Sequence, residues 1–130
     1  MITDPKLATR KSAYMNEAIR LRLSIKDADL TGADRVALAQ DYCSVGRPET
    51  ALSAAEAALP KLSKTGDASR ADLYSIIGNI YCYRKQYGRA LAAYDSAISI
   101  YKESHSYAQV ARVLKDRQEA IEQSHANGKT

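Results

Sequence analysis

Tryptophan and phenylalanine are absent from this 130-residue sequence, which contains only two cysteines and two histidines. Cys43 and Cys82 are too few and too far apart to form a disulfide framework. His105 and His125 lie in polar stretches away from both cysteines, which is not the ligand spacing of a zinc site. Phosphate-binding loops, nucleophile elbows and zinc-protease motifs are also missing. We therefore expect a protein that is not an enzyme and uses no metal or cofactor.

Long apolar runs are missing as well. No stretch approaches the roughly 20 apolar residues of a membrane-spanning helix, and residues 1–6 lack the basic-then-apolar layout of a secretory signal. The hydrophobic share of 45% and the charged share of 26% are typical of a globular chain in water. The sequence predicts a cytoplasmic protein with no membrane partner.

Charge is distributed unevenly along the chain. Residues 1–28 contain six basic and three acidic side chains, residues 29–83 five and seven, and residues 84–130 eight and five. Basic ends around a slightly acidic middle favour an acidic partner. Ordinary solvated helix faces explain the same distribution, and a basic nucleic-acid-binding helical protein is a third, less favoured interpretation.

A tyrosine–cysteine pair recurs after 39 residues. Tyr42-Cys43 is followed by a polar turn and then by Ala51-Leu52, and Tyr81-Cys82 is followed by a polar turn and Ala90-Leu91. In both copies the alanine–leucine pair opens an apolar helix. Two copies of one helix-turn-helix unit account for this recurrence.

Helix signals predict an all-α chain. Apolar residues recur at helical spacing, whereas no segment shows the alternation of a half-buried strand. Pro60 is expected to kink or end the third helix, and Ser69 with Asp72 resembles a capping box. The predicted helices are 5–28, 33–45, 49–63, 69–85, 88–103 and 106–124, and residues 124–130 are expected to be a disordered tail.

Residues 71–103 resemble a tetratricopeptide repeat. The positions that match its pattern of aromatic and small residues are Tyr74, Ile77-Gly78, Tyr81, Ala90, Tyr94 and Ala97. Residues 32–63 match less fully, because Arg35 and Ala55 replace the two aromatics. The period of 39, the linker Gly66-Asp67 and the segment Ile77-Gly78-Asn79 are similar to the longer repeats of kinesin light chains and Pins/LGN spindle-orientation adaptors.

The resemblance implies one domain over residues 1–123, with repeat units at 32–63 and 71–103 and a closing helix at 106–123. The helix pairs would stack as a short right-handed superhelix whose first helices line a concave groove. In the family this groove holds a peptide or a partner helix. Carried over position by position, the groove positions here are Val36, Gln40, Cys43, Ser44, Asp72, Ser75, Asn79, Cys82, Tyr83, Ala108, Arg112 and Lys115. The contact residues expected among them are Gln40, Ser75, Asn79, Tyr83, Arg112 and Lys115.

Packing roles follow from residue size. Gly78 is expected to let the second helix of its unit cross closely. The tyrosines at repeat positions are expected in the core, namely Tyr42, Tyr74, Tyr81, Tyr94 and Tyr107. Both cysteines are expected to be small packing residues, and Tyr83 and Tyr87 are expected at the surface as contact residues.

Three functional hypotheses follow. The first is an interaction module or adaptor that binds a peptide or helix in the groove, and the second is a self-associating assembly subunit. The third is the nucleic-acid binder, whose affinity would fall steeply with salt. Asn79 and Arg112 have a purely structural alternative, in which asparagine satisfies a neighbouring helix and arginine is solvated.

Overall fold

The structure, a computed structural model, describes residues 5–62 and 68–127, with side chains for residues 10–62 and 68–126. Every regular element in these ranges is helical. The helices are α1 (Pro5–Leu23), α2 (Gly32–Ser44), α3 (Pro48–Ala58), α4 (Ala68–Tyr83), α5 (Tyr87–Glu103) and α6 (Tyr107–Asn127). The prediction of an all-α fold with six helices is confirmed.

Helix ends differ from the predicted boundaries where turns intervene. Helix α1 ends at Leu23, five residues early, and a short 3₁₀ turn follows at Asp27–Asp29. Helix α3 ends at Ala58, because Pro60 lies in a 3₁₀ turn over Leu59–Lys61. At the C-terminus α6 continues to Asn127, so residues 124–127 are helical rather than the expected disordered tail. Residues 128–130 and the Gly-Asp linker at 66–67 lie outside the described residues.

The capping box forms at a different helix from the one predicted. Thr31 accepts the backbone N–H of Asp34 at 3.0 Å, and the Asp34 carboxylate accepts the backbone N–H of Thr31 at 3.0 Å. This reciprocal pair starts α2. Ser69, in contrast, lies inside α4, which begins at Ala68.

The turns within the two predicted units share one backbone geometry. Gly46 has a φ of 80° and Lys85, 39 residues later, has a φ of 60°. In both turns the amide of the next residue donates to a carbonyl oxygen five residues back, at 2.8 and 2.9 Å. This is the hydrogen bond that ends helices at a left-handed residue. The 39-residue recurrence in sequence therefore corresponds to a recurrence of structure.

The helices stack in pairs. Helix α2 packs on α3 and α4 on α5, while α4 also packs on α2 and α3. Helix α6 packs on α5 and touches α4, and α1 packs on α2 at the other end. Arg22 joins α1 to α2 through an ion pair with Asp41 at 2.8 Å. In this order α4 lies between α2 and α6.

Helices α4 and α5 cross closely at Gly78. A Cβ atom at Gly78 would lie only 2.5 Å from Cε1 of Tyr94, whose side chain is almost completely buried. Ala90 and Ala97 on the same face of α5 have no exposed surface. The expected close crossing at Gly78 is confirmed.

Burial of the other predicted core residues is mixed. Tyr42 and Tyr94 are buried, and Tyr74 and Tyr81 are half-buried. Tyr107 is 63% exposed. The prediction is wrong there because no helix within residues 5–62 and 68–127 covers that side of α6.

The predicted exposure of Tyr83 and Tyr87 and the predicted packing of the two cysteines are confirmed only in part. Tyr83 is 78% exposed, as predicted, whereas Tyr87 is half-buried. Cys82 is half-buried and Cys43 is exposed, so Cys43 is not the packing residue that was expected. Both cysteines are free.

Exchanging glycine for alanine at two helical positions should have opposite effects on stability. Gly78→Ala gains about 1 kcal/mol of helix propensity, but its Cβ would overlap the Tyr94 ring, and overpacking costs roughly 1–3 kcal/mol. We expect a lower free energy of unfolding. Gly88→Ala in α5 meets nothing within 4 Å and should be stabilising. Urea denaturation of both variants tests this, and a stabilised Gly78→Ala would show that the crossing can relax.

Replacing Lys85 by glycine should stabilise the protein. A left-handed conformation costs a residue with a side chain about 1–2 kcal/mol, and Gly46 already relieves that strain in the equivalent turn. We expect the free energy of unfolding to rise by about 1 kcal/mol after the entropy of glycine is included. Gly46→Ala should lower it by a similar amount. Equal stabilities for Lys85→Gly and the native protein would show that Lys85 is unstrained.

Candidate functional site

A polar depression of about 350 Å³ lies where α2, α4 and α6 meet. Helix α4 supplies its floor because α2 and α6 pack on either side of it. The lining residues are Gln40, Asp72, Ser75, Ile76, Asn79, Gln109, Arg112 and Asp116. We call this surface the α4 groove. It offers amide, carboxylate and guanidinium groups within one concave surface.

Four of the six predicted contact residues line the α4 groove, namely Gln40, Ser75, Asn79 and Arg112. Ser75 is buried, so it contributes mainly to the floor. Tyr83 lines a neighbouring, more apolar depression of about 310 Å³, which it shares with Asn79. Lys115 is exposed and lines neither of them. Five of the six residues predicted from the sequence therefore line the α4 groove or the depression beside it, and Lys115 does not.

Asn79 lies at the centre of the site. It borders the α4 groove, the Tyr83 depression and a third depression of about 140 Å³ beside Cys82. The hydroxyl of Tyr94 donates to Oδ1 of Asn79 at 2.6 Å. The amide nitrogen of Asn79 has no partner among the described residues. Tyr94 thus orients the amide and leaves its two N–H groups for a ligand.

Arg112 is held by a second buried tyrosine. Its Nη2 donates to the hydroxyl of Tyr101 at 3.3 Å, and that hydroxyl donates to the Asp72 carboxylate. The Tyr101 side chain is completely buried. Burial, followed by the hydrogen bond and negative charge of Asp72, raises the pKa of Tyr101 above its ordinary value. The tyrosine stays neutral and connects α4 to α6 across the groove.

The third depression is acidic. It is lined by Asp116 and Glu119 of α6, opposite Asn79 and Cys82 of α4. Burial raises the pKa of Asp116, and the charge of Glu119 raises it further, while Arg112 and Lys115 act in the opposite direction. Neither carboxylate forms an ion pair among the described residues. This side of the site therefore carries two carboxyl groups that Arg112 and Lys115 influence only at a distance.

The exposed Cys43 lines the Tyr83 depression, and the surroundings of its thiol do not favour reactivity. Partial burial raises the pKa of the Cys43 thiol, whereas a reactive cysteine needs neighbours that lower it. Gly46, Pro48 and Ile80 complete the lining. The depression is thus an apolar surface beside the polar groove, and it suits an aromatic or aliphatic side chain.

Two lining residues on α6 were missed by sequence reasoning. The family pattern indicated Ala108 and Lys115, whereas Gln109 and Asp116 face the groove. Starting from Arg112, helical periodicity would have found both, since they lie three residues before it and four residues after it. The family pattern does not specify the rotation of α6 about its axis, and here that rotation follows from the packing of α6 on α5.

Comparison with known proteins finds no family model, no curated protein and no solved structure that matches this chain. We therefore infer the function from the side chains described above. Within residues 5–62 and 68–127, no helix combines the length and apolar content needed to cross a bilayer. In the same part of the chain, His, Cys, Asp and Glu side chains form no group of three that could hold a metal ion.

Removing the charge of Asp116 should stabilise the protein at neutral pH. Because its pKa is raised in the folded state, the free energy of unfolding increases as the pH falls through that value. Asp116→Asn should therefore have a higher Tm than the native protein at pH 7. The difference should vanish near about pH 3, below the ordinary carboxyl pKa of about 4.

Glu122→Gln removes a carboxylate elsewhere on α6 and controls for the change in net charge. Thermal melts followed by circular dichroism at both pH values provide the measurement. A lower Tm for Asp116→Asn at pH 7 would contradict the expectation, since it would mean that Arg112 stabilises the Asp116 carboxylate more than burial and Glu119 oppose it.

Proposed function

We propose that this protein is an interaction module, or adaptor, that binds a peptide or helix of a partner protein in the α4 groove. The observation that supports this most is the arrangement around Asn79. Three depressions meet at one exposed amide, whose free N–H groups are oriented by a buried tyrosine. Groups oriented before binding lose less entropy when a ligand arrives.

We also propose that the helix pairs form repeats of the tetratricopeptide type. The recurring left-handed turn at Gly46 and Lys85 supports this, as does the packing of Tyr94 on Gly78. In such an array the first helix of each pair lines the concave side. Helices α2, α4 and α6 are the first helices here, and they are the ones that line the α4 groove.

Each central residue would have a distinct role in recognition. The Asn79 amide would donate to a backbone carbonyl of an extended ligand, and the Arg112 guanidinium would bind a carboxylate or carbonyl oxygen. Tyr83 would provide an aromatic anchor, because its ring is exposed beside the apolar depression. Gln40 would extend the polar contacts toward α2.

Charge in the groove refines the expected partner. An acidic segment would be attracted by Arg112 and by the basic helix α1, which contains five basic residues and one acidic residue. Within the groove, however, Asp72 and Asp116 oppose a uniformly acidic ligand. We therefore propose a ligand whose acidic group lies near Arg112 and whose remaining contacts are polar or apolar, acting in a non-catalytic role in the cytoplasm.

Replacing Asn79 and Arg112 together by alanine should remove most of the partner binding. The native protein would be immobilised and used to capture proteins from an extract of its own cells, with quantification by mass spectrometry. If each side chain contributes about 1.5 kcal/mol through its hydrogen bonds, the double variant should retain less than about a tenth of the captured partner. Its Tm should stay close to that of the native protein.

Tyr94→Phe is the matched control, since it removes the hydrogen bond to Asn79 but leaves the amide in the groove. A partner lost with the double variant and largely retained with Tyr94→Phe supports recognition by the amide itself. Equal capture by all three proteins would move recognition to another surface, the basic helix α1 being the first candidate. Unfolding of the double variant would show that Asn79 and Arg112 are structural.

A further inference from the structure

The two terminal helices expose complementary apolar surfaces. On α4, Gly78 lies under the Tyr94 ring of α5. The equivalent position on α6, 33 residues later, is Ala111, and it is exposed. Tyr107 and Leu114 beside it are 63% and 49% exposed. Helix α6 thus presents the kind of face that α4 uses to bind a helix, with no helix on it among the described residues.

Helix α1 has an uncovered face of its own. Ile19 is buried against the rest of the fold, whereas Tyr14 and Leu21 are 73% and 54% exposed. At 100° per residue, both lie on the opposite side of α1 from Ile19. Their separation of seven residues equals the separation of Tyr107 and Leu114 on α6, so the two apolar faces have the same repeat along the helix axis.

We propose that α1 of one copy packs antiparallel on α6 of a second copy, joining the chains head to tail. One register aligns the two faces. Leu21 lies level with the small Ala111, between Tyr107 and Leu114 of the other copy. In the same register Tyr14 lies level with Gln118.

The distribution of charge supports α1 of a second copy as the partner of α6, and it supports this register. Arg10 of one copy comes level with Glu122 of the other, and Glu17 comes level with Lys115. Among the described residues Arg10, Lys115 and Glu122 form no ion pair, although Glu122 accepts a hydrogen bond from Gln118 at 3.4 Å. Glu17 already pairs with Arg20 on its own helix, so the pair of Arg10 with Glu122 is the stronger support for the register. Helix α1 carries an excess of four basic residues, and α6 from Asp116 to Glu122 contains three acidic residues and one basic residue, Arg117. Opposite charges therefore meet along the contact.

The contact leaves the α4 groove open. Arg112 and Asp116 are each two positions from Leu114, which places them on the opposite side of α6. Self-association and ligand binding therefore use different faces, and failure of either would leave the other intact. Because the two joined surfaces differ, the contact is heterologous and can repeat from copy to copy.

Sedimentation equilibrium of two face variants tests the proposal. Leu21→Glu disables the α1 face and Leu114→Glu disables the α6 face, and both residues are exposed, so the fold should persist. The native protein should form species larger than a dimer as its concentration rises. Each variant alone should be monomeric. Their equimolar mixture should form a 1:1 dimer, because one intact face of each kind remains.

A monomeric native protein at high concentration would overturn the proposal, and so would a mixture that stays monomeric. A dimer formed by either variant alone would also contradict it, because it would indicate that the intact surface pairs with its own kind. Arg10→Glu provides a milder variant, which should weaken association about two- to tenfold because both residues of the pair are exposed. Glu122→Arg in the same chain should restore association by reversing the pair. Circular dichroism melts confirm that every variant is folded, and loss of association without restoration in the double variant would contradict the register.

Discussion

The contact between the Tyr94 ring and the bare backbone of Gly78 is the constraint on which the rest of this structure depends. It sets the distance between α4 and α5, since a Cβ atom at position 78 would lie 2.5 Å from the ring. The same tyrosine extends its hydroxyl past the helix to the next residue, Asn79. One side chain therefore packs the central helix pair and orients the amide at the centre of the proposed site. Any shift of that ring would change both.

Tyr101 repeats this arrangement about two turns further along the same face of α5. Its ring is completely buried in the same core cluster as Tyr94, and its hydroxyl lies between Asp72 and Arg112 at the groove. At these two positions the hydroxyl gives a physical reason for tyrosine rather than phenylalanine. Phenylalanine would fill the same volume, but it would leave the amide of Asn79 and the carboxylate of Asp72 without the donors that hold them.

The site could be predicted in part because it lies on regular helices. Asn79 and Arg112 were found from a pattern, and both face the groove because helical spacing carries a position reliably along one face. Lys115 and Ala108, taken from the same pattern, do not line the groove. The rotation of α6 about its axis depends on its packing against α5, and a one-residue error turns a side chain by 100°. The acidic pair Asp116 and Glu119 became visible only when α6 was placed beside α4.

The sequence by itself determined the helices, the 39-residue recurrence and the close crossing at Gly78. These depend on local periodicity, turn residues and side-chain size, which can be read from neighbouring positions. Only the tertiary structure decided which tyrosines are buried, as the exposed Tyr107 shows, and which polar groups share the groove. Burial requires a second helix on the same face, and the presence of that helix depends on distant parts of the chain. The same reason explains why the uncovered faces of α1 and α6 could be recognised only after all six helices had been placed.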